Sequence, residues 1–170
     1  IIEQLCPDLI IGNKEENTQA DIDALEKKYP VYMSDIFTVE DALQMIADIG
    51  DMTGTELEAK KITTTVKRDF DSFTSQNKTV LYLIWAGPFM AAGENTFIGD
   101  VIRKIGLTNC VKDSTARYPE LSLTQIAELN PDFIFLSSEP FPFNDSHAEK
   151  IAGNHNGRIE FVDGELFSWY

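Results

Sequence analysis

Apolar residues along this chain change rhythm several times, and each change marks an expected element. In the stretch IAELNPDFIF, residues 126–135, spaced apolar positions give way at Pro131 to the continuous run Phe133–Leu136. Proline keeps the residue before it out of the helical region, and a run of β-formers after it fits a buried strand. A helix over Ser122–Leu129, opened by the capping box Ser122-x-x-Gln125, and a strand over Phe133–Leu136 are therefore expected. A near copy, IEQLCPDLII at residues 2–11, shares five of the ten positions and predicts a helix ending over Ile2–Leu5 and a strand over Leu9–Ile11. Both copies continue alike. A helix near Gln19–Lys28 and a strand Val31–Met33 follow the first; a helix near Asp145–Ala152 and a strand Ile159–Val162 follow the second. Strand–helix–strand implies parallel pairing through a right-handed crossover, so the pattern predicts two α/β lobes on one plan.

Between the copies the period is helical. Thr38 is placed to cap a helix carrying Ala42, Leu43, Met45, Ile46 and Ile49 that ends near Gly50–Gly54. Thr55-x-x-Glu58 reads as another capping box, followed by an apolar stripe of Leu57, Ile62, Val66, Phe70 and Phe73. Carried to Asn77, this helix would be about 34 Å long and would link the lobes. A strand Thr79–Trp85, a loop AGPFMAAGEN and a helix Phe97–Ile105 capped by Asn95 or Thr96 open the second lobe. The expected division is a partial first lobe at 1–54, a linking helix at 55–77 and a second lobe at 78–170. With two strands against at least three, the first lobe is expected to be incomplete.

Charge narrows the partners. Lys and Arg number 14 against 28 Asp and Glu, a net charge of −14, which speaks against nucleic acid and anionic membrane surfaces. The longest apolar run, Val80–Ala92, is interrupted by Gly87 and Pro88 and is too short to span a bilayer, so no direct membrane insertion is expected. Cys6 and Cys110 have no CxxC spacing and read as buried, inert thiols. His147 and His155 stand in polar stretches, have no HExxH spacing and read as solvated. GPFMAAGENTFIGD matches no phosphate-binding fingerprint, Glu15–Glu16 reads as a solvated face, and no GxSxG elbow occurs. No catalytic set, metal site or cofactor is indicated.

Aromatics are more informative. In open α/β sheets ligands lie outside the carboxyl ends of the strands. Trp85 and Phe89, then Phe141 and Phe143, then Phe167, Trp169 and Tyr170 all follow expected strands, and Tyr118 precedes the Ser122 helix. One such aromatic would ordinarily close a core; several at the same end of one lobe suggest an apolar stacking surface.

Together, LCPDLIIGNKEEN, TVEDALQMIADIGDMTG, the linking helix, YLIWAGPFM, TFIGDVIRKIGLTN, RYPELSL, LNPDFIFLSSEPFPF and VDGELFSWY resemble one family across nearly the whole chain. It is the helical-backbone substrate-binding proteins of ABC importers for vitamin B12 and ferric siderophores. The resemblance implies two α/β lobes with parallel sheets, joined by a rigid backbone helix that permits little hinge closure. It further implies a corrinoid or ferric chelate held between the lobes, a periplasmic or lipid-anchored cell-surface location, and docking onto the importer's membrane subunits. By position it assigns ligand contacts to Asn13, Lys14, Trp85, Phe89, Met90, Tyr118, Ser138, Glu139, Phe141, Asp163, Phe167 and Trp169. The family's acidic docking residue falls at Thr124, with Glu120, one helical turn earlier, as the substitute. Family members open with further strands of the first lobe, which have no counterpart here. A soluble enzyme or ligand sensor on the same scaffold is the alternative reading.

Overall fold

A computed structural model of the chain describes residues 1–112 and 115–169. They form two compact units, Ile1–Ile36 and the remainder from Phe37. The smaller unit contains helix α1 (Ile2–Leu5), strand β1 (Ile10–Asn13), helix α2 (Gln19–Leu25) and strand β2 (Val31–Ser34). β1 and β2 pair in parallel from Ile10 with Val31 to Asn13 with Ser34, as the crossover pattern requires. Thr18 caps α2 by accepting the Asp21 amide, and Ile22 is that helix's buried residue. Ile11, on β1, stays 46% exposed.

Helix α3 (Val39–Thr53) opens the larger unit with a full capping box between Thr38 and Asp41. Helix α4 (Glu56–Asp71) stops well before Asn77 and spans about 24 Å. Its expected capping box is not made. Thr55 has ψ 36 where an N-cap is normally extended, and its hydroxyl shares a 2.8 Å hydrogen bond with that of Thr53. α3 and α4 approach closely at Gly50, where an added Cβ would stand 2.5 Å from the Ala59 Cβ. Only part of the α4 stripe is used: Val66 and Phe70 pack on Val39, Leu43 and Val101. Leu57, Ile62 and Phe73 remain 72%, 51% and 51% exposed.

The main sheet is built from β3 (Thr79–Trp85), β4 (Phe89–Ala91), β5 (Thr108–Asn109), β6 (Glu120–Leu121), β7 (Phe133–Ser137) and β8 (Arg158–Val162). Its order is β6-β4-β3-β7-β8, with β5 also on β3. β3 pairs in parallel with β5 and β7, and β7 in parallel with β8, whereas β4 runs antiparallel to both of its neighbours, β3 and β6. The loop expected after Trp85 thus folds back as a strand. Helices α5 (Phe97–Lys104, capped by Thr96), α6 (Leu123–Leu129, with the Ser122–Gln125 box) and α7 (Asp145–Ala152) complete the unit. Alternation along β3 feeds two cores: Leu81 and Leu83 meet Ile126, Ile134, Leu136 and Ile151, while Val80 and Tyr82 meet Ala92 and Ile102.

The Pro131–Asp132 step has a physical purpose at the sheet's start. Asp132 accepts hydrogen bonds from Lys78 Nζ at 2.6 Å, the Thr79 amide at 2.9 Å and the Thr79 hydroxyl at 3.0 Å. These bonds, the Lys78 one first, hold its carboxyl down at about 2. A depressed folded-state pKa contributes stability above the ordinary carboxylate range of about 4, and that contribution is lost as pH falls towards 2. Asp132→Asn is therefore expected to flatten the acid limb of a stability–pH curve between these values. An unchanged acid limb would show that the clamp contributes nothing.

Three sequence expectations are corrected here. Cys6 is exposed and Cys110 half-buried, so the two free thiols are not both buried, although burial does push the Cys110 thiol up. His155 is buried at 8% exposure beside Gly157, and its Nε2 has no hydrogen-bond partner. His147 is half-buried against the rings of Phe141 and Phe143 and so only partly solvated.

Candidate functional site

Parallel, in-register strands end together. Leu83 of β3 lies opposite Leu136 of β7, and Ser137 of β7 opposite Val162 of β8, so Trp85, Ser138 and Asp163 follow along one edge of the sheet. From that edge the β7 loop carries Phe141 and Phe143 towards α7. Asn144 caps α7 by accepting the Ser146 amide at 3.1 Å, while its own amide donates to His147 Nδ1 at 3.2 Å. This box orients the imidazole against Phe141 and Phe143, with ring centroids 5.2 and 5.6 Å apart. Phe141 in turn meets Phe143 at 5.0 Å and Trp85 at 5.1 Å, both edge-on. The result is a continuous ladder of rings, of which Trp85 is 40% exposed. Edge-on contacts of this kind hold the rings in place while leaving ring surface open for stacking.

The supporting loops are tied together from below. The Ser138 hydroxyl accepts the Gly164 amide at 3.0 Å, joining the loops after β7 and β8. Asp163 accepts the Glu165 amide at 3.1 Å and so caps a 3₁₀ turn over Gly164–Phe167. That turn sends Phe167 inward, where its ring lies 4.8 Å from Tyr82 and 6.2 Å from Phe135. Of the assigned contacts, Phe167 is thus held by core residues. Tyr82 itself is buried, and burial pushes its phenol up to about 12 against the lowering effect of the Ser137 hydrogen bond.

Other assigned residues are dispersed. Phe89 is half-buried on the Leu81 core, and Met90 lies across from both Trp85 and Glu120. Tyr118 packs beside the Val80–Tyr82 core, with the Arg117 guanidinium 5.7 Å from its ring and 4.7 Å from that of Phe37. Trp169 is half-buried, and Tyr170 lies outside the described residues. Glu139 is exposed beside Asp163, its Cβ 3.1 Å from where a Cβ on Gly164 would stand. Asn13 and Lys14 belong to the smaller unit. There Asn13 accepts the Glu16 amide at 2.7 Å and Lys14 pairs with Asp35 at 2.7 Å. Glu120 and Thr124 are both exposed, but Glu120 is on β6 and not one turn earlier on the α6 helix.

His147 and Arg117 are the residues that sequence reasoning passed over. Their signals are the Asn144-x-x-His147 cap spacing after two phenylalanines and the adjacent Arg117–Tyr118 pair. Among the described residues no group of three or more His, Cys, Asp or Glu is placed to hold a metal ion. Among the same residues no helix is long and apolar enough to cross a membrane.

Each of the two α/β units holds parallel strands, and a ring ladder stands at the strand ends of the larger one. The profile of the periplasmic binding protein family matches residues 1–159, and the chain belongs to that family. Among its relatives is the Fe(3+)-citrate-binding protein YfmC of Bacillus subtilis, 26% identical over 81% of this chain. The chain spans 46% of that protein's length. Among solved structures, the catecholate-siderophore-binding protein VctP of Vibrio cholerae superposes with a TM-score of 0.78 at 18% identity, over 99% of this chain and 67% of its own. The vitamin B12-binding protein BtuF of Vibrio cholerae gives 0.65 at 21% identity, over 91% and 59%. At these identities the structural likeness bears on the fold.

Proposed function

We propose that the chain is the ligand-holding part of an ABC importer's substrate-binding protein, located in the periplasm or on the cell surface, and not an enzyme. Its ligand is a metal-bearing organic molecule, a corrinoid or a ferric chelate, stacked on the Trp85–Phe141–Phe143–His147 ladder. That ladder is the observation carrying the reading: rings held edge-on at 5.0–5.6 Å, open to solvent at Trp85, at the strand ends where α/β sheets take ligands. Names of the relatives, which include ferric citrate, catecholate siderophore and vitamin B12 binders, support the same class. Thr124 on α6 and Glu120 on β6, both exposed, are the positions assigned to the importer's membrane subunits.

Charge divides the candidates. Exposed Glu139 and Asp163 flank the ladder in a chain of net charge −14, which disfavours a polyanion such as ferric citrate. A corrinoid, whose periphery offers amide N–H groups, suits those carboxylates better. The full gene product is mixed with cyanocobalamin or ferric citrate, desalted and scanned for retained colour. Retention of cyanocobalamin with quenched tryptophan emission is expected. Retention of ferric citrate alone would reverse the ligand assignment, and loss of both colours would overturn the function.

A further inference from the structure

Beneath the ladder runs a relay of buried hydroxyls. Tyr82 and Ser137 are each 1% exposed, and the Tyr82 phenol donates to Ser137 Oγ at 3.0 Å. Ser137 Oγ passes the interaction on, donating to the Glu139 carbonyl at 2.5 Å and accepting the Glu139 amide at 3.3 Å. The Ser137 oxygen therefore gives one hydrogen bond and takes two, leaving no capacity for a ligand. Phenylalanine would fill the Tyr82 site with the same ring contacts and no buried hydroxyl to satisfy, so core packing alone does not explain the tyrosine.

We propose that Tyr82 and Ser137 are positioning residues that hold the Glu139–Phe141 segment so that Phe141 stands against Trp85 before any ligand arrives. The inference rests on the proposed ligand surface and adds how its shape is set. Glu139 is two residues from Phe141, so fixing both its amide and its carbonyl leaves the intervening chain few ways to aim the ring. Order installed during folding need not be imposed on binding, which is the general benefit of a preformed site. The phenol, pushed up to about 12, keeps its proton and stays a donor across physiological pH.

Tyr82→Phe removes one oxygen and keeps the ring against Phe135 and Phe167. Labelling with 5-fluorotryptophan gives separate fluorine NMR signals for Trp85 and Trp169. In ligand-free Tyr82→Phe the Trp85 signal is expected to shift or broaden while that of Trp169 holds. Cyanocobalamin dissociation is expected to quicken by about fivefold to tenfold, the effect of one lost hydrogen bond. Ser137→Ala should act in the same direction, and the double variant should do little more than either single one. Lower melting temperatures with an unmoved Trp85 signal and unchanged dissociation would overturn the proposal, reducing the relay to a stability element. A moved Trp85 signal, with neither cyanocobalamin nor ferric citrate retained by the unsubstituted protein, supports the relay and overturns the ligand surface.

Discussion

Trp85→Ala is expected to weaken cyanocobalamin binding by about 1–3 kcal/mol, roughly fivefold to 150-fold in Kd, with little loss of stability. Trp85 ends β3 and is 40% exposed, so truncation removes stacking surface without opening a core cavity. Phe141→Ala should do similar damage, because Phe141 buttresses the indole at 5.1 Å and touches both Phe143 and His147. A double-mutant cycle on Trp85 and Phe141 should return a coupling of about 0.5–1.5 kcal/mol, as for an aromatic pair. Titration calorimetry beside thermal melts separates the cases. Full affinity with a lowered melting temperature would mean that the rings only close the loop over the sheet.

Gly106→Ala is expected to cost about 2–5 kcal/mol of folding stability, from left-handed strain together with overpacking. Gly106 follows α5 at φ 82, and an added Cβ would stand 2.3 Å from the Thr74 carbonyl oxygen. Its own carbonyl accepts the Gln76 amide at 2.9 Å. This contact fixes the irregular segment after α4 just before the chain enters β3, so strain there reaches the sheet that carries the ladder. Urea unfolding followed by circular dichroism measures it. A shift in midpoint equivalent to less than about 1 kcal/mol would show that the backbone yields without cost.

Long periodic elements were legible in the sequence because one local signal decides each of them. The Pro-Asp steps, the Thr38 and Ser122 boxes and the Thr79–Trp85 run all stand where the pattern places them. β4, β5 and β6 were not legible. They have three, two and two residues, too few for an apolar rhythm, and only the neighbouring edges of the sheet make them strands. The Thr55 box failed because a tight corner between α3 and α4 turns the cap residue away from extended geometry. The aromatics show the same limit. Phe141 and Phe167 both follow strands, yet a 3₁₀ turn capped by Asp163 sends one into the core, while an Asn144 cap and the hydroxyl relay keep the other beside Trp85. Composition told which end of the sheet was rich in rings. It could not tell which of them a neighbouring turn would withdraw.

β1 and β2 share one ladder, and among the described residues no further strand joins either. Each strand therefore keeps one outer row of amides without a strand partner, and few hydrogen bonds must break for this small unit to open. The six-stranded unit is expected to melt as a block and the two-stranded one to open below that threshold. Both tryptophans, Trp85 and Trp169, belong to the larger unit, whereas the smaller one holds only Tyr29 and Tyr32 as aromatic reporters. Indole emission would therefore trace a clean single transition through conditions in which the first 36 residues had already come apart.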